Sequence, residues 1–194
     1  MKFYKLLTQE MTSYNDTKWE LNVPITVEKE GVEMCTDQVL HCYNHPLLAV
    51  ICNPIHARIR NPKIFGINVD KIVNSDGLKF ASKSQTLIKE ISLPEISLDQ
   101  KIEFAIRVVK LVCKNEGWNE WADKWLSGED RSKASAYAAH AYAHAYAHAA
   151  ASYAASYASS AASSYASSAA AIADGKNEFN KKMIDIIESI CKHE

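Results

Sequence analysis

"IFGINVDKIVNSDG", residues 64–77, decides the class of the fold. Its β-branched and aromatic residues Ile64, Phe65, Ile67, Val69, Ile72 and Val73 end on the polar quartet Asn74-Ser75-Asp76-Gly77, the pattern of strand followed by turn. The same texture recurs outward in both directions: "KFYKLL" at 2–7, "WELNVPITVE" at 19–28 and "TLIKEISL" at 86–93. Several short antiparallel strands over residues 1–96 are the economical reading. Between them "HPLLAVICN", 45–53, is a continuous apolar run with Pro46 near its start. Proline is tolerated in the first turn of a helix, so the run suits a short buried helix, and a buried strand is equally compatible.

The periodicity then changes. Ser97 and Gln100 form a capping-box pattern, and Leu98, Ile102, Ala105, Ile106, Val109 and Val112 recur at helical spacing, which predicts a helix over 98–115. Gly117 interrupts it. Trp118, Trp121 and Trp125 follow at i, i+3 and i+7 on one face of a second helix, a stripe expected to cover the junction with the N-terminal domain. "SGED", 127–130, closes that helix. The expected fold is α+β: a small N-terminal mixed or antiparallel β domain with short helices (1–96), connecting helices (97–128) and a mainly helical C-terminal part (129–194).

That last part is dominated by "AYAAHAYAHAYAHAAASYAASYASSAASSYASSAAA", residues 136–171, nearly free of charge. From Ser132 to Ala173 nothing breaks a helix, and alanine is the strongest helix former. If Gly175 is tolerated, one helix runs from 132 to about 192 and reaches ~90 Å; if Gly175 breaks it, a helical hairpin results. Beyond it Phe179, Met183, Ile186, Ile187 and Ile190 make an amphipathic stripe. Within the tract Tyr142, Tyr146, Tyr153 and Tyr157 fall in a narrow arc, at spacings of 4, 7 and 4. Roughly opposite lie Tyr137, His140, His144 and His148, continued by Ala151, Ala155, Ala158, Ala162 and Ala169. Alanine buries too little apolar area to hold a helix on a large core, but it permits close approach of backbones. Helix-on-helix packing with tyrosine anchors is the expectation, and one chain offers too few partner helices to cover two opposite stripes. A symmetric homo-oligomer is therefore expected.

Charge and composition exclude other roles. The 22 basic and 23 acidic residues leave a net charge of -1, without the basic footprint of a nucleic-acid or anionic-membrane binder. "MKFYKLLTQEMTSYND" turns polar before any apolar run long enough for a signal peptide, and the alanine tract carries too much Ser, His and Tyr for a membrane span. A cytoplasmic protein is expected. Its five cysteines, Cys35, Cys42, Cys52, Cys113 and Cys191, are read as reduced thiols.

Candidate chemistry is confined to two places. His140, His144 and His148 are spaced i, i+4, i+8, and adjacent pairs have metal-ligand spacing, but no carboxylate or cysteine in the tract completes a zinc set. "CTDQVLHCYNH", 35–45, gathers Cys35, His41, Cys42 and His45. Metal ligation and a thiolate–imidazole pair are both chemically open there. Structural roles for Cys35 and Cys42 beside a hydrogen-bonded His41 are the simpler reading. His41 and Cys42 are adjacent, so in an extended segment they point to opposite faces and cannot easily share one ion. No metal and no cofactor are expected; His41, Tyr43 and His45 are the candidate ligand-binding residues, and Cys42 is expected to pack inward. The chain carries no phosphate-cradling glycine loop, Gly-x-Ser-x-Gly elbow or metalloprotease motif.

"VEMCTDQVLHCYNHPLLAV", with "KFYKLLTQEMTSYNDTKWEL" before it and "KIFGINVDKIV" and "LKFASKSQTLIKEISL" after it, resembles an N-terminal domain of uncharacterised phage and prophage proteins. There a Cys, a Leu/Phe-His-x-Cys step and a Pro-Leu recur, and an alanine-rich tract and a short amphipathic tail often follow. Val39 stands where that group often has Gly. The resemblance implies no activity. With the tract, it leads to the expectation of a non-enzymatic phage-type protein that oligomerises through the tract and binds a small ligand, in the sharpest case sequestering a nucleotide immune signal. A virion assembly protein and an ADP-ribosyltransferase-like enzyme are the alternatives, the second on fold pattern alone. The packing argument predicts that Ala155→Leu or Ala158→Leu, which keeps helix propensity but blocks close approach, weakens assembly in light scattering more than Ser160→Leu does. Equal effects would place the contact on another face.

Overall fold

A computed structural model describes residues 2–13, 16–111, 116–132 and 169–192. The expected interface residues Tyr142, Tyr146, Tyr153, Tyr157, Ala151, Ala155, Ala158 and Ala162 lie outside the described residues, as do Cys113 and the three tract histidines. The described elements are β1 (Phe3–Leu7), β2 (Pro24–Thr26), β3 (Leu40–Cys42), α1 (Pro46–His56), β4 (Lys63–Val69), β5 (Ile72–Ser75), β6 (Phe80–Ser82), β7 (Ser84–Ile91), α2 (Leu98–Lys110), α3 (Glu116–Ser127) and α4 (Ala169–Cys191). The class is α+β, with an antiparallel N-terminal region and a helical C-terminal part.

The chain divides into two compact units. The first holds residues 1–96 together with 176–184. Its four-stranded antiparallel sheet runs β1-β4-β7-β2 and its three-stranded sheet β3-β6-β5. The run 64–73 is two strands in different sheets. It turns at Asp70, whose carboxylate accepts from the Ser84 amide at 3.2 Å. β3 and β6, only three residues each, are too short for an alternating pattern to register in the sequence.

Phe3, Leu7, Trp19, Leu40, Cys42, Phe65, Ile67, Phe80 and Leu87 form the core. The residue after β3 meets β1 in a single bridge, in which the Tyr4 and Tyr43 amides donate to each other's carbonyls at 2.7 and 2.9 Å. "HPLLAVICN" resolves to helix: α1 starts on Pro46, packs on β1 and buries Leu48, Ala49 and Cys52. A lone apolar run of this length does not distinguish helix from strand; proline in the first turn does.

The tail returns to this unit. Lys176 Nζ donates to the Ser75 carbonyl at 2.6 Å, the Asn44 and Asn180 side-chain amides pair reciprocally at 2.6 and 3.3 Å, and Met183 is 1% exposed. Gly77, at φ 89, closes the β5–β6 turn, and a Cβ there would stand 3.2 Å from the Phe179 ring. Gly175 lies inside α4 and does not break it.

The second unit contains α2 and α3. Ser97 caps α2 as the sequence implied: its hydroxyl accepts from the Gln100 amide at 3.2 Å and the Gln100 side chain accepts from the Ser97 amide at 2.8 Å. The tryptophan stripe packs within this unit, with Trp125 buried beside Ile102, Ile106 and Ala122 and with Trp118 and Trp121 against them. Gly128, at φ 85, ends α3 in a left-handed turn.

Because Met183 is a buried side chain of the first unit although it comes 87 residues after Ile96 in the sequence, Met183→Ala is expected to lower unfolding stability by about 2–5 kcal/mol. Urea unfolding followed by tryptophan fluorescence measures it. A loss below ~0.5 kcal/mol, the surface-site range, would mean that the tail is not part of the core.

Candidate functional site

Between β1, β3 and the C-terminal turn of α1 lies a cleft of about 500 Å³, within the size range of small-molecule sites. Its walls are held by polar side chains. Lys83 Nζ donates to the carbonyls of Lys29, Gly31 and Gln38 at 2.6, 2.6 and 2.8 Å, and so fixes the loop before β3. On the opposite wall Asn53 closes the end of α1: its amide donates to the Ile59 carbonyl at 2.8 Å and accepts from the Ile59 amide at 3.0 Å, around Arg58 at φ 53. Trp19 Nε1 donates to Ser13 Oγ at 2.8 Å, and Ser13 and Thr17 line the cleft. At the rim Lys29 pairs with Asp37.

The floor is cationic. Lys5 is buried in β1; its ammonium donates to the His41 carbonyl at 2.7 Å and to Gln85 Oε1 at 3.1 Å, and lies 4.5 Å from the Trp19 ring centre. Burial pulls its pKa down to about 8. Lys79, in the turn before β6, is 7% exposed and places Nζ 3.0 Å from Cys35 Sγ and 3.9 Å from the Asp76 carboxylate. Burial, then the charges of Lys79 and Lys5, hold His41 near 4, so its ring is neutral. Its Nε2 accepts from the Cys35 amide at 3.1 Å, which puts the ring proton on Nδ1.

Tyr43 Oη and His56 Nδ1 stand 2.6 Å apart, and their rings stack with centroids 6.0 Å apart. Burial raises the phenol well above its ordinary value and lowers His56 to about 4, so a neutral phenol meets a neutral imidazole. Three neutral aromatic side chains, His41, Tyr43 and His56, and two lysines, Lys5 and Lys79, thus line one cleft.

Of the residues singled out in the sequence, His41 and Tyr43 line the cleft. His45 stands instead at the N-cap of α1. Cys42 is 1% exposed, its Sγ 3.7 Å from the Phe80 carbonyl, while Cys35 is exposed at the cleft rather than packed. The thiolate–imidazole arrangement is not formed, since the lone pair of His41 Nε2 is taken by a backbone amide. Among the described residues no three His, Cys, Asp or Glu side chains gather as a metal site, and no helix is long and apolar enough to cross a membrane.

Residues 1–99 match a family model described as a domain of unknown function, DUF7666. The chain belongs to the DUF7666 family. No curated protein and no solved structure matches it. Both sheets, α1 and the whole cleft fall inside the DUF7666 match, whereas the tail segment 176–184 that completes the same unit falls outside it.

Sequence reasoning passed over Lys5, Lys79 and His56. The first two are spaced 74 residues apart in ordinary strand-and-turn contexts and have no local pattern. A signal existed only for Lys5, a lone charge between Phe3 and Leu7 on the inward face of an otherwise apolar strand.

The histidines predict a pH dependence. Both are held near 4, below their ordinary 6.5, so between these values the folded domain binds fewer protons than the unfolded chain. Stability present above pH 6.5 is lost as pH falls toward 4, with a slope approaching about one proton per histidine. His56→Gln is expected to flatten the fall of the urea midpoint between pH 6.5 and 4.5. An unchanged slope would mean that His56 is protonated in the folded domain.

Proposed function

We propose that this chain is a non-enzymatic, phage-type binding protein whose DUF7666 domain holds a small anionic ligand and whose alanine tract multimerises it. The observation that carries the reading is the cleft of about 500 Å³ lined by Lys5 and Lys79, both residues 7% exposed. Charges removed from water attract an anion more strongly than surface lysines do, because less solvent screens them. Tyr43 and the neutral imidazoles of His41 and His56 add stacking surface and uncharged hydrogen-bonding groups. Together these suit a phosphorylated nucleoside, with phosphate toward Lys79 and the base toward Tyr43. A nucleotide immune signal sequestered in the cytoplasm of a host cell is the sharpest form of this role. The phage attribution is supported by the resemblance of residues 32–50 to phage and prophage proteins, and assembly by the spacing of Tyr142, Tyr146, Tyr153 and Tyr157.

The test is to denature purified full-length protein and identify released small molecules by mass spectrometry, then titrate back the one recovered. A phosphorylated nucleoside is expected. His41→Ala should weaken its binding about tenfold, the effect of losing roughly 1.4 kcal/mol, with little change in stability, and Cys42→Ser should do the reverse. Release of nothing, together with filaments or shells in the microscope, would favour a structural component instead.

A further inference from the structure

We propose that Lys176 and Asn180 of α4 are positioning residues of the cleft, Lys176 setting its phosphate end and Asn180 its aromatic end. This role rests on the reading of the cleft as the site of a phosphorylated nucleoside. It makes a segment outside the DUF7666 match part of that site's specificity. Neither residue lines the cleft, and each acts through one that does.

Lys79 ends the β5–β6 turn, and that turn is braced from within. Ser75 Oγ donates to the Lys79 carbonyl and accepts from the Gly77 amide, both at 3.0 Å, while Asp76 Oδ1 accepts from the Leu78 and Lys79 amides at 2.9 and 2.8 Å. Residues 75–79 therefore move as one body. α4 grips that body twice. Lys176 Nζ donates a charge-assisted bond to the Ser75 carbonyl at 2.6 Å. Gly77 comes so close that a Cβ on it would stand 3.2 Å from the Phe179 ring and 3.3 Å from the Lys176 carbonyl oxygen. The place of Lys176 thus sets the place of the turn, and with it the backbone of Lys79. The Lys79 side chain is only 7% exposed and has little freedom to compensate for a displaced backbone.

The aromatic end is held in the same way. Asn180 is 5% exposed, and its side-chain amide pairs in both directions with that of Asn44, at 2.6 and 3.3 Å. A buried amide that loses its partner is costly, so the pair fixes Asn44. Asn44 follows Tyr43 directly in the chain. The Tyr43 phenol stands 2.6 Å from His56 Nδ1 with its ring stacked on the imidazole, a geometry that tolerates little movement of the backbone beneath it. Lys176 and Asn180 are four residues apart in α4, so one face of the helix serves both ends of the cleft.

Full-length protein and its variants are titrated calorimetrically with adenosine monophosphate and with adenosine. Lys176→Met is expected to weaken the monophosphate about fivefold, the equivalent of roughly 1 kcal/mol, and to leave adenosine unchanged, whereas Lys176→Arg, which keeps the donor, retains the wild-type affinity. Asn180→Ala should weaken both probes by the same factor. Equal loss of both probes in Lys176→Met, the mark of a merely structural role, or unchanged affinities in both variants, would overturn the proposal. Should Asn180→Ala not fold, the two Lys176 variants decide. If the wild-type protein binds neither probe, the nucleotide reading of the cleft is what fails, and positioning is read without ligand from the imidazole nitrogen resonances at pH 7. Lys176→Met should then move those of His41, which feels the Lys79 charge, and Asn180→Ala those of His56, the partner of Tyr43. Resonances that stay in place would overturn the positioning as well.

Discussion

A buried ammonium holds the N-terminal unit together. Lys5 projects from β1 into the core between Phe3 and Leu7 and reaches the His41 carbonyl of β3 and Gln85 of β7. Gln85 in turn donates to the Leu40 carbonyl at 2.9 Å and to Ser82 Oγ at 3.0 Å, so one network ties both sheets at their point of contact. A charge in that position is costly unless each of its hydrogen atoms is occupied. Two oxygen acceptors and the Trp19 ring meet this requirement, and β1, β3 and β7 can keep the network only in this register. A one-residue slip of β1 would turn Lys5 outward and bring Tyr4 in.

The cleft follows from the same constraint. Fixing the His41 carbonyl toward Lys5 turns the His41 ring to the other side of β3, where it receives the Cys35 amide. Its neutrality is a consequence of enclosure beside two lysines, and that neutrality leaves Nε2 free to accept. Cys35 is then presented to Lys79 instead of to an imidazole, with Nζ donating to its Sγ at 3.0 Å. The Tyr43–His56 pair is built separately, by the bridge from Tyr4 to Tyr43 and by the length of α1, whose last residue is His56.

Several features were legible in the residues alone. The alternation of short β-branched runs with polar breaks indicated the α+β class with antiparallel strands, and Ser97 with Gln100 determined where α2 begins, because a capping box acts within four residues. The opposition of His41 and Cys42 followed from the pleat, which sends neighbours to opposite faces. Local chemistry of this kind needs no knowledge of the rest of the chain.

What only the tertiary structure decided is long-range. That Ile64–Val73 serves two sheets, that Lys79 meets Cys35 across 44 residues, and that Lys176, Asn180 and Met183 return to the N-terminal unit depend on chain closure over distances at which sequence carries no periodic signal. The amphipathic stripe of α4 showed that Phe179 and Met183 need a partner, but apolar area is non-directional and does not name one. The partner is set by directional contacts, the Asn44–Asn180 pair and the Lys176 bond to Ser75, beside the β5–β6 turn that Gly77 closes.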